Sequence, residues 1–426
     1  MGFVARDKAS VWHPYTTVSE TEFPVFIERA AGSYLYTEEG KAILDAVGSW
    51  WVNLHGHSHP YIAEKIAAQA QNLEHVMFAG FTHKPAIELA EALLGLFKGQ
   101  FSKVFYSDNG STSIEVALKM CFQFWYNKGL PKKKVLALEG AYHGDTFGAM
   151  SVGERSVFTQ AFQPFLFDVE YLSLSEEAIP KAKELLSTGD FACFIFEPLI
   201  QGAAGMVMYE AEWLDRLIRL AKENQVLCIA DEVFTGFGRT GKAFAIEHLA
   251  ETVDVICLSK GLTGGALPLG VSLCTQAIHA AFQENKKKPN DLEGLNVKTF
   301  FHGHSFTANP IACAAALASL ELFAHSSCQA AILAIEKKHQ DFCYRFSASV
   351  FPAIESVRCK GVVLAITYKA EQRQGYLSEM RNRLYAYFLE KGILMRPLGN
   401  TVYVVPPYCI TSAELDTVYH AILAFR

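Results

Sequence analysis

Val226-Leu-Cys-Ile-Ala-Asp231-Glu232 and, further on, Asp254-Val-Ile-Cys-Leu-Ser-Lys260 each have the length and makeup of a buried strand. Short apolar runs of this kind fit strands covered on both faces. Each run delivers charge at its C-terminal end, Asp231 with Glu232 in the first and Lys260 in the second. Ligands of open α/β sheets bind beyond the carboxyl ends of strands. A lysine and a carboxylate at neighbouring strand ends match the needs of pyridoxal phosphate. The amine forms a Schiff base, and the acid keeps the pyridine nitrogen protonated.

Working outward, the middle of the chain alternates short β-rich runs with helical patterns. Strands are expected at Lys103–Ser107, Val135–Leu138, Phe191–Phe196, Val226–Ala230 and Val255–Leu258. After Gly110, the residues Ile114, Ala117, Leu118, Cys121, Phe122 and Trp125 share one helical face, and a second helix is expected over Glu212–Glu223. Such alternation predicts an α/β fold with a mostly parallel sheet between helices. The ends differ. Residues 25–50 read as short strands and turns, and the last hundred mix a helix near 377–390 with strands at Val362–Thr367 and Val402–Val405. The expected organisation is 1–60 as the N-terminal part of a smaller α+β domain, 61–325 as the large cofactor-binding domain and 326–426 as the rest of the small domain.

The 426 residues are 50% hydrophobic and 19% charged, with a net charge of −6. Disorder and a basic nucleic-acid footprint are both excluded as expectations. Lys132-Lys133-Lys134 and Lys286-Lys287-Lys288 read as solvated loops. Ten scattered cysteines without a Cys-x-x-Cys pair point to a reducing compartment. The first residues carry charge where a signal peptide needs an apolar stretch, and Gly261–Gln283 is too rich in Gly, Pro and polar residues to span a membrane. A soluble, cytoplasmic protein is the expectation.

Ser107-Asp-Asn-Gly-Ser-Thr-Ser113 joins a strand to a helix. It suits a phosphate, because free N–H groups at a helix start attract anions; it equally suits a plain N-cap turn. Tyr142, in Ala141-Tyr-His-Gly-Asp145, reads either as a stacking partner for an aromatic cofactor or as a packed surface ring. Gly236-Phe-Gly-Arg-Thr-Gly241-Lys242 matches parts of the dinucleotide and P-loop patterns. Position 243 is Ala, which removes the magnesium-binding hydroxyl, and the acidic pair precedes the glycines instead of following them. Lys260 is followed by glycine-rich loop, and Ser305 and Thr307 are hydroxyl donors near a helix start. His55, His57 and His59 alternate, but no carboxylate or cysteine accompanies them; a structural loop is expected and no metal.

Taken together, Asp231-Glu-Val-x-x-Gly-Phe-Gly-Arg-Thr-Gly241 with Ser259-Lys-Gly261 resembles the class III, fold-type I, pyridoxal phosphate aminotransferases along nearly the whole chain. Trp12-His-Pro-Tyr-Thr16, Ser49-Trp-Trp51, His75-Val-Met-Phe78, Tyr142–Ser151, Met395-Arg-Pro397 and Tyr403-x-x-Pro-Pro-Tyr408 narrow the resemblance to its biotin-pathway branch. That branch moves an amino group from S-adenosylmethionine, or in some members lysine, to 8-amino-7-oxononanoate. The resemblance implies a homodimer with shared sites, with Lys260 as the Schiff-base lysine and Asp231 on the pyridine nitrogen. Gly110 and Ser111 would hold the phosphate, Tyr142 and Val233 would cover the two ring faces, and His304 and Ser305 would reach the partner subunit's phosphate. Tyr15, Trp51, Arg239, Gly303, Arg396 and Tyr403 would form the substrate pocket. Arg396 offers a planar fork for the carboxylate, and the aromatic rings suit both an alkyl stem and a cationic sulfonium. Three positions depart from the pattern: Asn109 where a second serine is common, Ser305 where threonine is usual, and His304 where some relatives have proline. The nearest rival is another ω-aminotransferase acting on ornithine, 4-aminobutyrate or a diamine. A nucleotide-binding protein fits Gly236–Lys242 alone.

Overall fold

The computed structural model describes residues 2–16, 24–283, 298–346, 351–369 and 378–425. The basic run Lys286–Lys288 lies outside them. A central sheet is built from β1 (Lys103–Ser107), β2 (Lys134–Leu138), β3 (Glu170–Leu172), β4 (Phe191–Phe196), β5 (Leu227–Asp231), β6 (Val255–Leu258) and β7 (Gly270–Cys274). Their spatial order is β1-β7-β6-β5-β4-β2-β3. β5 is parallel to β4 and β6, whereas β7 runs antiparallel to both β6 and β1. The sheet is thus mostly parallel, as expected, but β3 and β7 were not anticipated. β7 was hidden by Gly270 and Ser272, which interrupt its apolar run.

Successive residues of the central strands face opposite cores. Cys228 and Ala230 of β5 and Ile256 and Leu258 of β6 join one apolar cluster; Ile229, Val255 and Cys257 join the other. Helix α1 (Gly110–Asn127) covers the second face with Ile114, Ala117, Leu118, Cys121 and Trp125. Helix α2 (Ala211–Glu223) covers the first with Trp213, Leu214, Leu217, Ile218 and Ala221. Burial on both faces explains why the strands read as continuous apolar runs.

Helix α3 (Pro310–Ala324) is apolar nearly all round because it is enclosed, packing on helices Pro60–Asn72 and Lys84–Leu96. Among the described residues no single helix is long and apolar enough to cross a membrane. The two chain ends meet: strand Ala42–Asp45 of an N-terminal meander pairs in parallel with Ile393–Leu394. A second small sheet joins Ile354–Lys360, Val363–Tyr368 and Thr401–Val404. Lys132 is less free than the sequence implies: its ammonium lies 4.0 Å over the Trp125 ring and donates to the Gln225 carbonyl at 2.6 Å.

Candidate active site

Asp231 ends β5 opposite Cys257 of β6, so the next residues of β6's chain bring Lys260 alongside it. Lys260 has φ +43°, a left-handed conformation that a non-glycine residue adopts only where its surroundings hold it. Ser259 supplies part of that hold by donating to the Leu269 carbonyl at 2.6 Å. The Lys260 Nζ sits 4.7 Å from the Trp51 ring centroid and 5.9 Å from that of Phe234. Burial pushes the amine below the usual lysine range; Asp231 and Glu197 pull the other way, and Arg239 adds to the lowering.

Asp231 accepts a hydrogen bond from Val233 N at 3.0 Å and lies 2.7 Å from Nδ1 of His143, whose side chain is enclosed. The Nε2 of His143 has no partner among the described residues. His143 escaped the sequence reading, which assigned its motif to Tyr142; its partner lies 88 positions away, so no spacing reveals the pair. Glu197, just past β4, was also missed. Its two oxygens accept Tyr142 N and Gly202 N, each at 3.0 Å. Burial pushes its carboxyl up to about 7; His143 and the two N–H groups oppose the shift and Asp231 adds to it. Glu232 faces away, accepting from Thr235, Ala245 and Ile246. It braces the glycine-rich turn, in which Lys242 binds the Glu247 carbonyl.

The N-terminus of α1 is capped and also leaves two N–H groups open. Asn109 caps the helix by accepting Thr112 N at 2.9 Å, while Thr112 Oγ1 accepts Asn109 N at 3.1 Å. The N–H groups of Gly110 and Ser111 find no acceptor among the described residues and border a cavity of about 570 Å³. Such groups attract an anion. A Cβ at position 110 would lie 2.7 Å from Cγ1 of Val233, so only glycine fits there without displacing that side chain. Tyr142, Asp231, Val233, Lys260 and Trp51 line the same cavity. An anion site at one end, a carboxylate at the other, flanking apolar and aromatic walls and a buried amine fit pyridoxal phosphate.

Around the mouth, the Tyr142 hydroxyl lies 3.3 Å from that of Tyr15, which donates to Asp145. Tyr15 packs edge-on against Trp50 at 5.4 Å, and the Arg396 guanidinium stacks 3.8 Å over Trp50. Trp51 contacts Phe234 at 4.6 Å and Tyr403 at 5.8 Å between ring centroids, and its indole N–H has no acceptor among the described residues. Tyr15 and Tyr403 thus pack against lining residues Tyr142 and Trp51, and Arg396 against Trp50, but none of the three lines the cavity itself. Arg239 stands behind it: its Nη atoms donate to the carbonyls of Pro406, Trp51 and Asn53, which braces the Trp51 turn, and its buried Nε has no partner among the described residues. Gly303 and Ser305 are exposed, and with His304 they lie outside this chain's cavity.

Residues 15–425 match the family model described as aminotransferase class-III. The chain is 44% identical to the adenosylmethionine-8-amino-7-oxononanoate aminotransferase of Synechococcus elongatus, over 97% of each chain. It is 36% identical to the enzyme of that name from Geobacter sulfurreducens, covering 96% of this chain and 94% of that one. The crystal structure of the like-named enzyme of Methanocaldococcus jannaschii superimposes with a TM-score of 0.91 at 36% identity, over 98% of each chain. A PLP-bound amine transaminase from an uncultivated Pseudomonas species superimposes at 0.88 with 28% identity, over 96% of this chain and 97% of that one. The chain belongs to the class III aminotransferases.

Proposed function

We propose that this aminotransferase uses pyridoxal phosphate to move an amino group from S-adenosylmethionine to 8-amino-7-oxononanoate, giving 7,8-diaminononanoate in biotin synthesis. The observation that carries the reading is the buried Lys260 amine, held over Trp51 in the cavity that also contains Asp231 and the open helix start. The names of relatives at 44% and 36% identity support the substrate pair.

Pyridoxal phosphate, when bound, supplies an aldehyde that takes up the amino group and a ring that spreads the charge of a deprotonated α-carbon. Gly110 and Ser111 would hold its phosphate, Tyr142 and Val233 would cover its ring, and Asp231 would keep its ring nitrogen protonated. His143 fixes the Asp231 carboxylate in place. Lys260 would carry the cofactor, and its amine, lowered in basicity by burial, is the group placed to move a proton at the substrate's α-carbon. Arg396, stacked on Trp50, takes the acceptor's carboxylate; Tyr15, Trp51 and Tyr403 exclude water from the alkyl stem. The donor and the acceptor use the site in turn. Gly303, His304 and Ser305 complete the site of a second copy, making the enzyme a cytoplasmic homodimer.

Lys260→Ala is expected to retain cofactor and lose turnover by about 10²–10⁴-fold or more. Borohydride reduction should label Lys260 in the wild type. Full transamination by the variant removes the lysine from its role. Following the cofactor absorbance on addition of S-adenosylmethionine, then lysine, then ornithine, 4-aminobutyrate or a diamine identifies the donor. A change with lysine alone replaces the proposed donor, and a change only with the last group replaces the biotin-pathway reading.

A further inference from the structure

Four successive residues next to the site have positive φ: Gly48 at +57°, Ser49 at +46°, Trp50 at +74° and Trp51 at +73°. Ser49 and Trp50 also have ψ of 50° and 44°. Trp51 N donates to Val47 O and Val52 N to Gly48 O, each at 2.9 Å. This is one turn of left-handed helix. L-residues visit that conformation singly, and a run including two tryptophans and a serine needs an outside restraint.

Asp45 is that restraint at the turn's entrance. It is fully buried, its N–H donates to Ser33 O, and its strand position is paired with Leu394. Its Oδ1 accepts Val47 N at 3.1 Å, and its Oδ2 accepts Ser49 Oγ at 3.0 Å. His57 Nε2 lies 2.8 Å from the same Oδ2. The tautomer follows from the network. Asn53 accepts Gly56 N through its oxygen, so its amide NH₂ donates to His57 Nδ1, and His57 Nε2–H donates to Asp45. The sequence places no carboxylate beside His57; the fold supplies one from another strand. Arg239 closes the exit of the turn through the Trp51 and Asn53 carbonyls. At Gly48 any Cβ would meet Asn53 O at 3.0 Å and Val405 O at 3.1 Å.

The handedness decides where the two indoles point. Trp51 faces the Lys260 amine, while its neighbour Trp50 lies beneath the Arg396 guanidinium. We propose that Asp45, oriented by His57, is a positioning residue for keto-acid recognition, holding the left-handed turn that seats Trp50 under Arg396 and Trp51 over Lys260. It touches neither substrate nor cofactor. The proposal rests on the reading of Arg396 as the acceptor's carboxylate site.

The test compares the wild type with Asp45→Asn, Ser49→Gly and the double variant, all as holoenzyme. Asparagine puts an NH₂ against one of the donors that Asp45 now accepts. Asp45→Asn is expected to lower kcat/KM for the keto acid about tenfold, mainly through KM, with cofactor retention and absorbance unchanged. Glycine adopts positive φ unaided, so Ser49→Gly in that background should recover most of the loss. An unchanged KM, or a loss that tracks cofactor release and ignores the glycine, overturns the proposal. Should Asp45→Asn not fold, Ser49→Ala, which removes only the hydroxyl's bond to Asp45, is expected to raise the same KM about threefold; no change then overturns it. Near-UV circular dichroism of the tryptophans, with Trp50→Phe to assign the signal, reads the turn apart from turnover. If the wild type does not aminate the keto acid, the proposed function fails, and this signal, altered by Asp45→Asn and restored by Ser49→Gly, still decides the turn.

Discussion

At the scale of single residues, chemistry at this site is set by close approach. Gly110 leaves room for Val233 and for an anion on the helix start; a methyl at position 110 meets Val233 Cγ1 at 2.7 Å. Gly110→Ala should therefore weaken pyridoxal phosphate binding about tenfold or more, since overpacking costs on the order of 1–3 kcal/mol. Adding Val233→Ala should restore part of the affinity, measured by cofactor titration of the apoenzyme. A double variant no better than Gly110→Ala would show that the contact does not limit binding. Lys260, Asp231 and Gly110 were legible because each stands at the end of a recognisable run. His143 was not, because its partner Asp231 lies 88 positions away; Glu197 and Asp45 were not, because their polar groups acquire meaning only when enclosed with their donors.

At the scale of elements, α1 combines a cap with two N–H groups left open at its start. The Asn109–Thr112 capping box satisfies two N–H groups, those of Thr112 and Asn109, and leaves those of Gly110 and Ser111 facing the cavity. Asn109→Ala should lower stability by about 0.5–2 kcal/mol, and Asn109→Ser, which keeps a capping oxygen, by much less. Urea unfolding checks both; equal losses would mean that the side chain's volume, and not its hydrogen bond, matters. The helix and the parallel strands were predictable because their apolar periods are unbroken. β7 was missed because Gly270 and Ser272 disrupt its pattern, although it separates β1 from β6 and its preceding loop, Gly265–Leu269, lines the cavity. The left-handed turn at Gly48–Trp51 left no sequence signal either, since three of its residues are not glycine.

At the scale of the molecule, buried titratable groups tie stability to pH. His339 joins helix Ser326–Arg345 to the C-terminal segments, accepting from the Tyr419 hydroxyl at 2.7 Å and donating to Val362 O at 3.2 Å. Burial holds its imidazole at about 3, against the usual 6.5. A depressed histidine contributes stability that is full above 6.5 and is lost as pH falls toward 3, because the unfolded chain binds the proton first. Glu197 and Glu232, both pushed up to about 7 chiefly by burial, act in the opposite sense, losing stability as pH rises from 4.5 to 7. Comparison with a variant isolates the histidine. Between about pH 7.5 and pH 5.5 the wild type should lose about 1.4 kcal/mol more than His339→Phe does. Matching slopes in urea titrations would exclude His339 as the source.

The sequence by itself determined the alternating α/β plan, the strand-end lysine and acid, and the membership of a transaminating family. These depend on local periodicity and on residues at the ends of runs, which a linear pattern records. Only the tertiary structure decided that Arg239 braces the Trp51 turn through backbone carbonyls, and that His143 and His57 each find a carboxylate. Those outcomes arise from groups far apart in the chain competing for buried hydrogen bonds, and an unpaired buried group is too costly for the fold to leave its placement open.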